Sequence, residues 1–362
     1  MRRIPIRHLK IDSVSATDVY GSDFRILVTK GTKIDKEILD KLKEHNIISL
    51  YILDEYSPKY IEDVVNPALR MKAVKELKSM AYELMAIELN KRYEVVRLEN
   101  VDKLENTLNE IIDELLSHKV QVIEQIDIRN KENSRYSHSV NVAIVSIIIG
   151  IKFNFNRKKL LQLGLAALLH DIGKIFIPKD ILDKERDITK EEEEIVKKHC
   201  RLGYDYLSKY VNISTVVKVP ILNHHENIDG SGYPQQLKGK YLDEFTKIIA
   251  LVNFYDNLIS SEYMHEDNLP NNVIELIMSK VESSFDFEII KVLFNNTMPF
   301  LQGTIVRLSN NDVAVVMGTI QGIPLRPIVK IIKSNNITTI NKCINLAEKL
   351  DVAIVEILYY LD

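Results

Sequence analysis

The chain of 362 residues carries 48 Lys and Arg against 51 Asp and Glu, a formal net charge of −3, and 46% of its residues are hydrophobic. This composition excludes a largely disordered chain, and the length favours about two or three domains. The balanced charge gives no sign of a nucleic acid polymer as partner, although a local pocket can still be basic and bind a small anion.

We expect neither a membrane span nor a secretory signal. The longest largely apolar run, residues 142–151, is too short to cross a bilayer, and no apolar stretch follows the basic N-terminus. The two cysteines, Cys200 and Cys343, are far apart and lack CxxC spacing, so a disulfide framework is not expected. The sequence therefore predicts a cytoplasmic protein.

Residues 1–57 are predicted to form a small α+β module. Strand-like runs occupy residues 4–11, 24–29 and 47–53. Asp35 is placed to cap a short helix whose apolar residues share one face, and Asn46 is placed to end it. Pro58 and Pro67 then indicate a boundary.

Residues 58–124 are predicted to be a helical linker, because residues 68–119 are almost continuously helix-forming. Two apolar stripes recur there at helical spacing: Val74, Leu77, Ala81 and Leu84, then Leu104, Leu108, Ile111 and Leu115. We favour helices that pack on the following domain. A homodimer through residues 68–119 is the alternative, disfavoured because a strict heptad does not persist.

A helical body is predicted at residues 125–298, followed by a β-rich C-terminal module at residues 299–362. Short apolar runs, several with period two, occupy residues 304–308, 313–317, 328–332 and 352–359. The run Asn310-Asn311-Asp312 is expected to form the turn between the first two.

The side chains suited to catalysis concentrate in the helical body. Of the nine histidines in the chain, five stand between positions 138 and 225: His138, His170, His199, His224 and His225. Helices bundled together would bring these imidazoles to one interior point, where neutral imidazole and the carboxylate of Asp171 are suited to Mn, Fe and Zn. Five histidines on successive helices favour a metal site over isolated core histidines.

Local signals place three of these helices. His170 follows a helix that we expect Gly173 to terminate. His199 is predicted to lie inside a helix that begins with a capping box at Thr189. Pro220 is expected to kink or to start the helix that precedes the histidine pair.

Three runs in this body resemble the HD-GYP branch of the HD superfamily of metal phosphohydrolases. The run His170-Asp171-Ile172-Gly173-Lys174 resembles the HDIGK motif of the superfamily. Residues 224–234, HHENIDGSGYP, resemble the HHExxDGSGYP stretch of the branch, and residues 136–139 resemble the segment that carries its first histidine. The likeness covers residues from about 125 to 300.

The resemblance implies a mainly α chain, in which an HD-type helical bundle core is flanked by a small α+β N-terminal module and a small β-rich C-terminal module. Family members hydrolyse the bacterial second messenger cyclic di-GMP. The implied function is therefore a metal-dependent phosphodiesterase that yields linear pGpG, GMP or both. The flanking modules also resemble companions of this domain in cytoplasmic bacterial proteins.

The resemblance also implies which residues hold metal. One metal would lie on His138, His170 and Asp171, and a second on Asp171, His199 and His224, with His225 serving the second metal, a third one or the substrate. Asp171 is the best bridge, because a carboxylate has two oxygens and a charge that offsets repulsion between cations. Two divalent transition metals are expected, Fe or Mn ahead of Zn, Mg or Ni.

Other residues are implied to act on the substrate. Asp171 and Lys174 are the expected catalytic residues, with Lys174 facing the phosphate as a point charge. The alternative for Lys174 is a cation that stabilises the end of a helix. The glycine-rich loop is expected to wall the site, with Asp229, Gly232 and Tyr233 against the substrate.

The chain departs from the family pattern at three positions. Asn253 stands where a metal-binding aspartate is expected, and its neutral amide oxygen is the weaker ligand. Asp256, one turn on, is expected to support a ligand rather than to bind metal. Glu262 stands where many members carry a phosphate-binding arginine, and Ser134 stands where members with a third metal carry an acid.

These departures leave two functions open. The first is an active cyclic di-GMP phosphodiesterase, which the intact histidine set favours. The second is a degenerate domain that acts as a cyclic di-GMP receptor or a protein-interaction module, which Asn253 and Glu262 favour. An HD-type nucleotidase is disfavoured by the GYP run.

Overall fold

The computed structural model describes residues 1–57, 63–90, 99–117, 132–182, 188–259, 270–320 and 322–361. In these ranges the α-helices are α1 (Lys36–Glu44), α2 (Pro67–Asn90), α3 (Glu99–Ser117), α4 (Ser134–Lys152), α5 (Arg157–Leu169), α6 (Lys179–Leu182), α7 (Lys190–Lys197), α8 (His199–Tyr210), α9 (Thr215–Asn223), α10 (Glu244–Ile259), α11 (Pro270–Met278) and α12 (Phe287–Asn295). The strands are β1 (Arg2–Pro5), β2 (Val14–Ser15), β3 (Val19–Tyr20), β4 (Ile26–Val28), β5 (Ser49–Leu53), β6 (Ile305–Leu308), β7 (Val313–Ile320), β8 (Ile323–Lys333), β9 (Cys343–Asn345) and β10 (Ile354–Leu358). The predicted fold class, a helical body with a sheet module at each end, is confirmed.

The N-terminal module is built on a three-stranded antiparallel sheet in the order β1-β5-β2, beside the β3-β4 hairpin. Asp35 caps α1 as predicted, since its carboxylate accepts from the Ile38 amide at 2.8 Å. The predicted strand at 4–11 is wrong beyond Pro5, where residues Ile6–His8 form a 3-10 turn. Proline has no amide hydrogen for the ladder and ends the strand.

Helices α2 and α3 pack on the helical body. Both apolar stripes predicted for them are buried in the same hydrophobic core as α4, α5 and α10. The packing alternative therefore describes them, and a homodimer through residues 68–119 would need other faces of these helices. Pro67 begins α2, since proline at the first helical position has no intrahelical bond to lose.

The helical body places α4 at its centre, with a buried run from Ser137 to Gly150. Helix α4 packs against α5 and α10, and α8 packs against α9. The ends of α5, α8 and α9 meet beside the start of α4, which positions the site described below. Within the described ranges, no helix combines the length and the apolar character that crossing a bilayer requires.

The C-terminal module is an antiparallel sheet in the order β10-β6-β7-β8-β9. Each of the four predicted apolar runs overlaps one of its longer strands. Asn311 has φ of 67° in the predicted turn, a conformation that asparagine tolerates. Both cysteines are free, Cys200 buried and Cys343 exposed. The predicted domain boundaries at 57, 124 and 298 stay predictions, since residues beside two of them lie outside the described ranges.

Candidate metal centre

Four histidines and one aspartate meet where helices of the body begin or end. His138 lies in the first turns of α4, His199 begins α8, and His170 and His224 cap the C-termini of α5 and α9. Asp171 follows His170 directly. All five side chains are buried. The bundle therefore brings the predicted ligands of both metals together.

The four imidazoles surround the Asp171 carboxylate in two pairs. His138 Nε2 and His170 Nε2 lie 3.8 Å and 3.5 Å from Oδ2. His199 Nε2 and His224 Nε2 lie 3.3 Å and 3.6 Å from Oδ1. Each carboxylate oxygen thus faces two ring nitrogens, the division that the family resemblance implied.

Backbone carbonyls orient three of the four rings. In each, Nδ1 donates to the carbonyl oxygen three residues earlier: His170 to Ala167 at 2.7 Å, His199 to Val196 at 2.7 Å and His224 to Ile221 at 2.9 Å. Because a carbonyl only accepts, the proton of each neutral ring sits on Nδ1 and the Nε2 lone pair faces the centre. This is the tautomer that metal binding through Nε2 requires.

The electrostatics of the centre suit a cation. Burial lowers the pKa of His170 well below 6.5, and burial also lowers the pKa of His224. Burial opposes ionisation of Asp171, and the Lys174 ammonium 2.6 Å away is the largest influence that holds the pKa of the carboxyl well below its usual range. Among the described residues, His170 Nε2 and Asp171 Oδ1 have no hydrogen-bond partner. Neutral nitrogens and an ionised carboxylate, converging with buried lone pairs, fit divalent metal.

Lys174 is paired with the central carboxylate. Its Nζ lies 2.6 Å from Asp171 Oδ2, and its side chain is 26% exposed. The predicted contact of Lys174 with a phosphate stays a prediction, while its ion pair with Asp171 was not foreseen. The i,i+3 spacing of the two residues was the available signal.

Gly173 has a different role from the one predicted. It lies in a 3-10 turn, Ile172–Phe176, without a positive φ, so it is not a left-handed helix terminator. A Cβ added to it would lie 2.0 Å from the His199 carbonyl oxygen and 2.6 Å from the Gly203 amide nitrogen. The absence of a side chain lets this turn approach α8 closely and brings Asp171 to His199.

One prediction about the neighbouring helices needs correction, and another is reduced to one of its two alternatives. The capping box at Thr189 is present, but its helix α7 ends at Lys197, and His199 begins the next helix instead of lying inside the first. The His199 carbonyl contacts Gly173 at this break. Pro220 lies inside α9, which begins at Thr215, so it does not start that helix.

His138 is held differently from the other three ligands. Its Nδ1 lies 2.6 Å from Asp256 Oδ2, and its Nε2 lies 2.9 Å from Asn253 Oδ1. Asn257 Nδ2 donates to the same Asn253 oxygen at 3.0 Å. Asp256 thus contacts the back of a candidate ligand, where the sequence predicted it. Asn253 directs its oxygen at the ring nitrogen that a metal would use.

His225 and Cys200 complete one side of the centre. The His225 ring stacks on Tyr233 with centroids 4.7 Å apart, and burial lowers its pKa well below 6.5. Cys200 was missed from sequence and lies buried with Sγ 3.5 Å from His199 Nε2. Ligand atoms of Cys200, His199, His224 and His225 all lie within 4.8 Å of one another. Adjacency to His199 was the one signal for Cys200.

The glycine-rich loop is organised by Glu226, a buried residue to which the sequence assigned no role. Its carboxylate accepts from the amides of Gln235 at 2.6 Å and Leu237 at 3.0 Å. These bonds fold the loop back over the histidine pair. Its place directly after that pair was the only signal.

The three predicted substrate residues differ in position. Tyr233 adjoins the centre through His225. Gly232 is buried, and a Cβ there would lie 2.4 Å from the Asn227 amide nitrogen, so Gly232 serves the packing of the loop. Asp229 is exposed and accepts from the Ser231 amide at 2.8 Å, within the loop itself. Glu262 lies outside the described residues.

Comparisons with known proteins find related sequences for two parts of the chain. Residues 113–289 match the family described as HD domain, and residues 305–360 match the KOW domain associated with HD domain. The cyclic di-GMP phosphodiesterase PdeB of Borreliella burgdorferi is 32% identical over 204 residues, 56% of this chain and 53% of that protein. A cyclic di-GMP phosphodiesterase of Thermotoga maritima is 32% identical over 160 residues, 43% of this chain and 44% of that protein. The chain spans about half the length of the curated relatives it matches.

A solved structure shares the fold. Bd1817, described as an HDG"Y"P protein from Bdellovibrio bacteriovorus, superposes with a TM-score of 0.51 at 21% identity. The match covers 81% of this chain and 97% of that one. At this identity the likeness shows the arrangement of the helices and not the activity.

Proposed function

We propose that the protein is a metal-dependent phosphodiesterase of the HD-GYP family that hydrolyses cyclic di-GMP to linear pGpG, GMP or both, because residues 113–289 match the HD domain family and residues 224–234 resemble the HD-GYP motif. The observation that carries this proposal is the pairing of histidines about Asp171, with two ring nitrogens facing each carboxylate oxygen. Relatives whose names state this activity support it.

The residues that would hold two divalent metals divide about Asp171. They are His138, His170 and Asp171 for one metal and Asp171, His199 and His224 for the other, with His225 and Cys200 beside the second. When bound, the metals would lower the pKa of a water molecule and stabilise charge on the phosphoryl group. The nitrogen and oxygen donors favour Fe or Mn, with Zn, Mg and Ni as alternatives.

The chain's own groups prepare this centre. Lys174 holds Asp171 Oδ2 with one of three N–H donors, which leaves two for a phosphate oxygen. Its ammonium also keeps the carboxylate ionised. The Tyr233 ring stacks on His225 and forms one wall. Burial raises the pKa of the Tyr233 hydroxyl, which therefore remains a donor at neutral pH.

One observation favours a second candidate, a cyclic di-GMP receptor with weakened catalysis. Asn253 Oδ1 lies 2.9 Å from His138 Nε2, where the family pattern has an ionised ligand. A neutral oxygen there leaves the first metal with less compensating charge. Such a domain would bind the dinucleotide and turn it over slowly.

We propose a cytoplasmic location, because the described cysteines are free and the proposed substrate is an intracellular messenger.

A turnover assay tests the proposal. The full chain, reconstituted with Mn²⁺ or with Fe²⁺ under reducing conditions, should convert cyclic di-GMP to pGpG or GMP, separated by chromatography. His170→Ala should abolish turnover, and His45→Ala, directly after α1 in the N-terminal module, should leave it unchanged. Tight binding of cyclic di-GMP without turnover would favour the receptor function over the phosphodiesterase. If the metal-loaded chain neither binds nor hydrolyses cyclic di-GMP, both functions are contradicted.

A further inference from the structure

A cavity of about 420 Å³ lies where the N-terminal module, the helical body and the C-terminal sheet meet. Its walls come from β1, the 3-10 turn after it and β5, from α10 and α11, and from β6 and β10. None of the histidines or aspartates of the metal centre lines it. A volume of this size is typical of sites for small organic ligands.

The described lining of the cavity is mostly apolar, and its charged residues are all arginines. Most of its walls are aliphatic, proline and aromatic side chains, among them Ile47, Val273, Ile274, Met298 and Leu358. Three arginines, Arg2, Arg3 and Arg7, belong to the lining, and among the residues that the structure describes no aspartate or glutamate does. This combination favours a ligand that has an apolar body and an anionic group.

Arg3 is the arginine placed to meet that group. The charge of Arg2 is already matched by Asp54, 2.7 Å away. Arg3 donates through Nε to Ser49 Oγ at 2.9 Å, and no described carboxylate forms an ion pair with it. Its terminal nitrogens therefore keep N–H donors that match the two oxygens of a carboxylate.

We propose that this cavity binds a small organic carboxylate, with its apolar body between α11 and the two sheets and its carboxylate on Arg3. Tyr255 of α10 lines the cavity, and the next residue, Asp256, holds His138 of the metal centre. The ligand would thus contact the helix that carries Asn253 and Asp256. The site is separate from that of the phosphodiester substrate.

Calorimetric titration of the full chain with 2-naphthoate and octanoate tests the proposal, with 2-naphthamide as the neutral counterpart. At least one carboxylate should bind, and 2-naphthamide should bind more weakly than 2-naphthoate. Arg3→Gln should weaken carboxylate binding by about tenfold or more and leave the amide unaffected. Arg25→Gln, on an arginine of the same module whose side chain is 87% exposed, should bind as wild type does.

A second variant keeps the proposal testable if Arg3→Gln unfolds. Ile274→Trp would fill the cavity from α11 and should abolish binding of both carboxylates, with folding checked by circular dichroism. Absence of binding by both carboxylates at millimolar concentration would overturn the proposal. Binding that neither substitution weakens, or equal affinity for acid and amide, would overturn it as well.

Discussion

His199 and His224 face each other with their Nε2 atoms 3.2 Å apart. Each ring donates through Nδ1 to a backbone carbonyl, so the neutral form of either ring has no proton to place between the two nitrogens. Two lone pairs at this distance, both directed at Asp171, repel each other unless a cation lies among them. The backbone therefore orients these rings for metal binding, and without metal the contact between their two nitrogens is unfavourable.

Asn253→Asp should strengthen the metal site next to His138. The substitution replaces a neutral oxygen 2.9 Å from His138 Nε2 with an ionised one, which is the better donor to a divalent metal. We expect tighter Mn²⁺ binding, measured by calorimetric titration, and faster turnover of cyclic di-GMP. Asn257→Asp places the same charge one turn away and should reproduce neither gain. Unchanged metal affinity in Asn253→Asp would show that water completes the coordination.

Asp256→Asn should loosen His138 without removing a ligand. The carboxylate 2.6 Å from Nδ1 fixes the ring and its tautomer, and loss of such support lowers metal affinity by about 10- to 100-fold. Equilibrium dialysis against Mn²⁺ measures the change, and circular dichroism checks the fold. Asp256→Glu should retain part of the affinity. Wild-type affinity in Asp256→Asn would mean that the packing of α4 alone orients His138.

The metal-free protein should lose stability as the pH falls below about 6.5. Burial lowers the folded-state pKa of His170, His224 and His225, so the unfolded chain binds more protons below 6.5 and protonation favours unfolding. The stability is fully present above that pH and falls toward the lowered pKa values. Urea unfolding at pH 7.5, 6.5 and 5.5 measures the slope. His170→Gln should give a shallower dependence of the unfolding free energy on pH. A dependence equal to that of the wild type would contradict its origin in the buried histidines.

Gly173→Ala should destabilise the fold and the metal centre together. A Cβ there would lie 2.0 Å from the His199 carbonyl oxygen, so the turn and α8 must separate, at a cost of about 1–3 kcal/mol or more. Denaturant unfolding and Mn²⁺ binding should both weaken. Gly318→Ala, where an added Cβ meets nothing within 4 Å, is the matched control. If Gly173→Ala keeps wild-type stability and Mn²⁺ binding, Gly173 is not needed for the close approach of its turn to α8.

The sequence predicted which side chains meet around Asp171 better than it predicted their surroundings. Histidines on successive helices made His138, His170 and His199 candidates, because metal chemistry restricts which residue types can stand at such a site. The ion pair between Lys174 and Asp171 depends on the path of a 3-10 turn, which the motif does not encode. Cys200 enters the centre only because α8 begins at His199, a helix break without a proline or glycine signal.

For the fold as well, the sequence predicted some elements and missed others. The apolar period of α2 and α3 predicted both helices and their buried faces, since that spacing follows from helix geometry. Short strands such as β9 have too few residues for a period and were missed. The cavity on Arg3 could not be predicted, because β1, α11 and β10, far apart in sequence, meet only in the tertiary structure.

The number of metal ions bound by the full chain, before and after Asp171→Asn, tests the central claim most directly. Elemental analysis of Mn²⁺-loaded protein should give two ions per chain in the wild type. Asp171→Asn should release both, because each set of ligands shares this carboxylate. Asp229→Asn, in the exposed loop, should retain two. A wild type without bound metal, or an Asp171→Asn variant that keeps two ions, would contradict a centre bridged by Asp171.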